Sequence, residues 1–93
     1  MSEENTVYIG KKETMNYVMA VVTQFNSGSK EVVIKARGRS MSKAIDVAEI
    51  TKNRFVQNAE IVEMKSDTEQ VERTGEEGTA NVSSLEITLR LKA

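Results

Sequence analysis

Hydrophobic and polar positions follow two different periods in the first part of the chain. A short β-rich run at Thr6–Ile9 predicts a strand that ends at Gly10. From Glu13 to about Asn26 the apolar residues recur with helical spacing, which predicts a helix. Gly28 follows this segment and is suited to a left-handed helix C-cap. The predicted buried stripe consists of Met15, Val18, Met19, Val22 and Phe25 or Asn26.

A second strand and a second helix follow. The segment Glu31–Ala36 is a nearly continuous apolar run, which favours a central position in a sheet. Ser40 or Ser42 can serve as the N-cap of a helix that continues to about Arg54. The predicted buried stripe of this helix consists of Met41, Ala44, Ile45 and Ala48.

The last third of the chain predicts two strands joined by a long hairpin. After a turn at residues 57–59, one strand begins with Glu60–Lys65, and the alternating run Leu85–Leu91 belongs to the other. Between them, Ser66–Ala80 is polar and contains two glycines, which indicates a protruding hairpin. The order βαβαββ predicts a single two-layer α+β domain over residues 1–93. Its mixed four-stranded sheet would carry two helices on one face.

Composition limits the possible chemistry. The chain contains no Cys and no His, so disulfides, thiolate catalysis and the commonest general base and metal ligand are excluded. We therefore expect no enzyme, no cofactor and no metal. No apolar run approaches the roughly 20 residues of a membrane helix, and the N-terminus does not resemble a signal peptide. A cytoplasmic protein with no membrane partner is expected.

Charge is distributed unevenly along the chain. The net charge is −1, but residues 1–55 contain nine Lys and Arg against six Asp and Glu, whereas residues 56–93 contain four against eight. A protein with an acidic total can still hold phosphates through a local basic patch. The cations of the first half are therefore the candidate site.

Two basic clusters lie where predicted strands end. Lys11 and Lys12 follow the first strand, and a second cluster begins at the end of the next strand and extends into the following helix. If the two strands are parallel neighbours, both loops emerge at one edge of the sheet, where such sheets usually bind ligands. Arginine suits bidentate contacts with phosphate, and lysine supplies adjustable charge. The second cluster consists of Lys35, Arg37, Arg39 and Lys43.

Alternative interpretations exist for the same residues. The lysine pair could be ordinary solvated surface, and Gly38 could serve only a tight turn. The arginines could pair with Asp46, Glu49 or Glu31. The acidic segments Asp67–Glu69 and Glu76–Glu77 are expected to be solvated loop, because nothing apolar surrounds them. These segments do not favour a metal-dependent nuclease. They favour an acidic protein-interaction module only weakly.

Phe55 and Val56 follow the second predicted helix. They could complete the hydrophobic core, or they could insert against a second copy of the chain. A core of 93 residues is small enough that burial against a partner would help. A symmetric homodimer would also place two basic patches on one assembly.

One segment of the chain is especially distinctive: Val33–Asp46 reads VIKARGRSMSKAID. Further distinctive segments are Val7–Lys12, Met15–Val18, Asn53–Phe55 and Val82–Ile87. Together these segments resemble the Alba family of archaeal chromatin proteins. The likeness covers nearly the whole chain in unbroken order.

The resemblance implies a fold like the C-terminal domain of translation initiation factor three. It also implies a homodimer that binds double-stranded DNA and RNA with little sequence preference and helps to package the chromosome. Chromosome association in the cytoplasm follows, with an RNA-processing or RNA-chaperone subunit as the alternative. The residues that it implies for nucleic-acid binding are Lys11, Lys12, Arg37 and Arg39. We expect Asn16, Lys43 and Arg73 to contribute to the same binding site.

The resemblance has two further implications. The position of Lys11 is an acetylation site in some members, and losing its charge would weaken phosphate contact. The position of Phe55 is linked to contacts between dimers, so that Phe55 and Val56 could contribute a dimer or a dimer–dimer contact.

Three features depart from the family pattern. Thr14 stands where many members have proline, and Asn81 where many have arginine. The hairpin from Glu69 to Glu77 is acidic, with Arg73 as its only cation. We therefore expect weaker and more salt-sensitive binding than in a basic relative.

Overall fold

The computed structural model describes residues 5–72 and 78–92. The order of elements confirms the predicted βαβαββ pattern. A single 3₁₀ turn at Gly38–Ser40 precedes the second helix, and one turn of π-helix at Thr51–Phe55 follows it. The main elements are β1 (Thr6–Tyr8), α1 (Thr14–Asn26), β2 (Glu31–Arg37), α2 (Met41–Ile50), β3 (Ala59–Glu72) and β4 (Thr79–Leu91).

The four strands form one mixed sheet in the order β1-β2-β4-β3. β1 pairs with β2 in parallel, with Thr6 opposite Val33, and the other two pairings are antiparallel. β2 therefore lies inside the sheet, as its continuous apolar run predicted. Parallel pairing of β1 and β2 also sends their following loops to the same edge, which the candidate site requires.

Both helices pack on one face of this sheet. Along β2, Val32, Ile34 and Ala36 are buried against the helices, while the intervening residues face the open side. Ile87 and Leu89 of β4 lie opposite Ile34 and Val32 and are fully buried. Burying each such aliphatic side chain stabilises the fold by about 1.5–3 kcal/mol, so this layer is the main source of stability.

The buried stripes of the helices differ in part from the predicted ones. In α1 the stripe is Val18, Val21, Val22 and Phe25, and in α2 it is Ala44, Val47 and Ala48. Met15 and Met19, each 46% exposed, and Ile45, 40% exposed, were wrongly assigned to the core. Burial of Val21 and Val47 rotates each helix toward their side, which turns these three residues toward the flank.

The helix termini confirm the predicted positions of both caps, but the serine cap lacks its side-chain hydrogen bond. Gly28 has a φ of +109°, the left-handed conformation expected after α1. Ser40, one of the two predicted N-cap residues, occupies the N-cap position of α2 but makes no capping hydrogen bond through its side chain, and Ser42 lies inside the helix. The 3₁₀ turn leads into α2 instead, beginning at Gly38 with a φ of +53°.

β3 and β4 pair over their full length, from Ala59 opposite Leu91 to Glu72 opposite Thr79. One bulge interrupts the pairing between Ile61 and Glu63. The long hairpin is confirmed. Asp67–Glu69 is part of β3 rather than the predicted loop, whereas Arg73 and Glu76–Glu77 lie outside the described residues. Within the described ranges, no helix is long and apolar enough to cross a membrane.

Candidate nucleic-acid interface

The loops that follow β1 and β2 meet at one edge of the sheet. The N–H of Ile9 donates to the carbonyl of Lys35 at 2.9 Å, which continues the pairing of the strands up to the loops. Lys11 from the first loop and Arg37 from the end of β2 line one groove of about 740 Å³. Lys12 and Arg39 are the exposed neighbours of these residues in the two loops. The topology thus brings the two basic clusters together.

Tyr17 holds the backbone of the first loop. Its hydroxyl accepts hydrogen bonds from the N–H of Gly10 at 2.9 Å and from the N–H of Lys12 at 3.0 Å. A Cβ atom on Gly10 would lie 3.3 Å from this hydroxyl, which leaves little room for any other residue. Tyr17 is half-buried, and its hydroxyl contacts the loop directly.

Lys43 holds the carbonyl groups of the same loop. Its ammonium donates to the carbonyl of Gly10 at 2.9 Å and to that of Lys12 at 2.7 Å. The ammonium also lies 5.8 Å from the centroid of the Tyr17 ring. Lys43 was predicted to bind phosphate, but two of its three ammonium donors are bonded to the protein backbone.

The clamp formed by Tyr17 and Lys43 has a direct consequence for the loop. Both the N–H and the C=O groups of Gly10 and Lys12 are bonded, while the side chains of Lys11 and Lys12 are exposed. A fixed backbone reduces the entropy that each lysine loses when it binds a ligand. The spacing of Tyr17 and Lys43 along the sequence does not predict their contacts with this loop.

The start of α1 adds to the positive potential near these lysines. The first turn contains no acidic residue, and Glu13 at the N-cap makes no capping hydrogen bond through its side chain. The positive end of the helix dipole is therefore left without a carboxylate partner in this turn. Asn16 lies exposed in this turn, close in sequence to Lys11 and Lys12.

Ion pairs cover the open face of the sheet. Arg37 pairs with Glu69 at 2.7 Å, and Glu86 lies 3.4 Å from Lys35 and 3.8 Å from Lys65. Such surface pairs typically stabilise a fold by about 0–1 kcal/mol, so their main effect here is on local charge.

Within the described residues, Arg37 and Arg39 do not pair with the carboxylates that the sequence suggested. Glu31 pairs with Arg90 at 2.7 Å, and Glu49 pairs with Lys52 at 3.4 Å. Arg37 instead reaches Glu69, which lies 32 residues later on β3. Sequence inspection missed this pair because only the register of the hairpin brings Glu69 to the end of β2.

Three cations of the two loops have no carboxylate partner within residues 5–72 and 78–92. Each is solvent-exposed and lies next to the edge at which β1 and β2 end. These residues are Lys11, Lys12 and Arg39.

Tyr8 lies on the open face of the sheet, opposite Lys35 in the β1–β2 register. It is 59% exposed, and the ammonium of Lys35 lies 5.9 Å from its ring centroid. Tyr8 is therefore not a core residue. Its exposed ring borders the same groove as Lys11 and Arg37.

Phe55 and Val56 separate at the end of the π-helical turn. Val56 is 8% exposed and belongs to the hydrophobic core, whereas Phe55 is 45% exposed. The core interpretation thus holds for Val56, which is not available for the predicted contact with a partner. Of the two, Phe55 is the one that exposes its ring to solvent.

Two other predicted features have different outcomes. Arg73, the predicted hairpin contact, lies outside the described residues. In the part of the chain that the structure describes, no three Asp or Glu side chains are grouped closely enough to hold a metal ion.

These features define a small α+β domain whose basic loops lie at the carboxyl ends of two parallel strands. The Alba family model matches residues 5–68. The DNA/RNA-binding protein Alba of Thermoplasma acidophilum is 57% identical over 96% of this chain and 98% of its own length. That of Picrophilus torridus is 57% identical with the same coverage. The chain belongs to the Alba family.

A solved structure supports the fold. Alba from Thermoplasma volcanium superposes with a TM-score of 0.85 at 55% identity, and the match covers 92% of this chain and 99% of that one. The mixed four-stranded sheet with two helices is thus the architecture shared with that protein.

Proposed function

We propose that this protein is a non-catalytic DNA- and RNA-binding protein that grips the phosphate backbone of double-stranded DNA. The observation that carries the proposal is the set of three exposed cations, Lys11, Lys12 and Arg39, on two adjacent loops. The names of the relatives, DNA/RNA-binding protein Alba, support the same ligand class.

Little sequence preference follows from the chemistry of the site. Lysine and arginine contacts with phosphate position a protein on DNA without reading the bases. Sequence readout requires groups aimed at base edges in a groove, and Asn16 is the one uncharged polar residue that we include in the interface. We therefore propose a role in packaging the chromosome, with the protein associated with it in the cytoplasm.

A homodimer is part of this proposal. Phe55, Ile45 and Met64 expose large apolar side chains, between 40% and 48% of each. Met64 lies opposite the fully buried Ile87 on the helix-bearing face, so the helices leave this part of β3 uncovered. A second copy that covers Ile45 and Met64 would double the number of basic patches and would leave Phe55 free to support contacts between dimers on DNA.

Acetylation of Lys11 would modulate the same contact. Its side chain is exposed on a clamped loop, so a modifying enzyme has access to it. Loss of the charge removes one of three phosphate-binding cations per subunit. Binding should then fall with little change in the fold.

The test is a titration of duplex DNA at several salt concentrations. Three cations per subunit give six per dimer, and the log–log salt slope should be about −5. Four cations per subunit would give about −7. Binding should be lost at lower salt than for a basic relative. A flat salt response, or unchanged binding in a Lys11→Gln/Lys12→Gln variant, would contradict the proposal.

RNA binding through the same patch is the second candidate, as an RNA-processing or RNA-chaperone subunit. The exposed ring of Tyr8 beside the groove favours it, because single-stranded bases stack on aromatic side chains. Affinities for single-stranded RNA and duplex DNA should be compared at equal salt in Tyr8→Leu and in the wild type. A selective loss of RNA binding in Tyr8→Leu would support this candidate.

A further inference from the structure

The ion pair between Arg37 and Glu69 places a carboxylate on one of the predicted phosphate-binding residues. The guanidinium nitrogen lies 2.7 Å from the carboxylate oxygen, which is the distance of a strong charge-assisted hydrogen bond. The two side chains are 58% and 46% exposed. A phosphate can therefore approach Arg37, but it meets a competing anion there.

The register of the sheet explains how the two residues meet. Arg37 lies opposite Ser84, and Ser84 lies opposite Asp67, so Glu69 is two residues further along the same face of the hairpin. The side chain of Arg37 must cross β4 to reach it, and the residue at the crossing, Ser84, is small. The contact therefore joins the end of β2 to the hairpin.

The neighbouring cations differ from Arg37 in this respect. Within residues 5–72 and 78–92, no carboxylate pairs with Arg39 or with the two lysines of the first loop. The site therefore combines available cations with one that is already engaged. The carboxylate of Glu69 and a phosphate oxygen carry the same charge and would use the same donors of Arg37.

We propose that Glu69 is an affinity-determining residue that competes with the phosphate backbone for Arg37. A duplex engages Arg37 only where its phosphates displace the carboxylate, so Glu69 lowers the affinity and the number of phosphate contacts. This inference rests on the proposed function.

A purely structural role for the pair predicts different behaviour. An ion pair at this exposure contributes little to stability, so its removal should leave the unfolding transition nearly unchanged. If the pair instead held the hairpin in a binding geometry, removing the carboxylate would weaken binding. The competitor role predicts tighter binding, so the sign of the effect separates the two.

The experiment compares Glu69→Gln with Glu63→Gln in duplex titrations over a range of salt. Both changes remove one negative charge from exposed positions on β3, but no ion pair of Glu63 is present in the described residues. Glu69→Gln should bind about 1.5- to 5-fold tighter for each copy of the site. Its salt slope should steepen by up to about 0.9 per subunit. Glu63→Gln should show a smaller gain and an unchanged slope.

A double-mutant cycle with Arg37→Gln completes the test. In the Arg37→Gln background, Glu69→Gln should give no more than the gain of Glu63→Gln, because the group for which it competes is absent. Glu69→Ala should repeat the Glu69→Gln result, and thermal unfolding should verify that each variant is folded.

Equal gains for Glu69→Gln and Glu63→Gln, or a Glu69→Gln gain that persists without Arg37, would overturn the competitor role. Weaker binding of Glu69→Gln would overturn it as well. None of these results affects the proposed function if the wild type binds DNA with the expected salt slope. Failure of the proposed function would instead appear as salt-independent or absent binding in every variant.

Discussion

The ammonium of Lys43 lies 2.9 Å from the carbonyl oxygen of Gly10, 33 residues earlier in the chain. The same ammonium bonds the carbonyl of Lys12 at 2.7 Å. Lys43 belongs to the second basic cluster by its position in the sequence. In the fold, however, it holds the backbone of the first basic cluster. Lys43 is a positioning residue for Lys11 and Lys12.

The first prediction concerns this positioning role. Lys43→Met should weaken duplex binding, because the carbonyl groups of the loop that carries Lys11 and Lys12 lose their hydrogen-bond donor. The salt slope should not change, since the number of phosphate-binding cations stays the same. The unfolding free energy should fall by about 1–2 kcal/mol, as expected for a partly exposed hydrogen bond from a charged group.

Lys30→Met is the matched control for Lys43→Met, because Lys30 is exposed and lies before β2, at the opposite end of that strand. It should change binding less and stability hardly at all. A shallower salt slope in Lys43→Met, by about 0.9 per subunit, would show instead that Lys43 contacts phosphate directly.

The second prediction concerns the hydroxyl of Tyr17. Tyr17→Phe keeps the ring under Lys43 but removes the acceptor for the N–H groups of Gly10 and Lys12. The unfolding free energy should fall by about 1–2 kcal/mol, because two donors lose their partner at a partly buried position. Urea denaturation measures this change. An unaltered transition midpoint would mean that water replaces the hydroxyl without cost.

The third prediction compares two arginines with different surroundings. Arg39→Gln removes a cation that has no carboxylate partner among the described residues, so duplex affinity should fall. The salt slope should become shallower by about 0.9 per subunit. Arg90→Gln is the control of equal charge, because Arg90 is paired with Glu31 at the other end of β2. Equal losses in both variants would show that net charge alone governs binding.

The fourth prediction separates Phe55 from Val56. Val56→Ala should lower the unfolding free energy by about 2 kcal/mol, because it removes apolar groups from the core. Phe55→Ala should leave the unfolding of the proposed dimer nearly unchanged and should reduce cooperative binding along long duplexes. Denaturation and titrations of short and long duplexes measure the two effects. Loss of the dimer in Phe55→Ala, seen by sedimentation, would place Phe55 within the dimer interface instead.

Much of the fold could be predicted from the sequence, because its hydrophobic residues recur with clear strand and helix spacing. The alternation at Leu85–Leu91 and the apolar run of β2 both respond to burial against the helices, so the pattern itself reports the structure. The flanks of the helices were harder to predict. Met19 and Ile45 satisfy a helical period as well as Val21 and Val47 do, and only the packing angle of each helix decides which of them is buried.

For the site, the sequence by itself determined which charges exist and that two loops would carry them to one edge, since parallel strands end together. It did not determine which of those charges are available to a ligand. That depends on contacts across 31–33 residues, where Lys43 bonds the Gly10–Lys12 backbone and Glu69 pairs with Arg37. Hydrogen bonds and ion pairs require atoms within about 3–4 Å, and the tertiary structure alone sets such distances. The basic segment Lys35–Arg39 thus came from the sequence, and its division into an engaged Arg37 and an available Arg39 came from the fold.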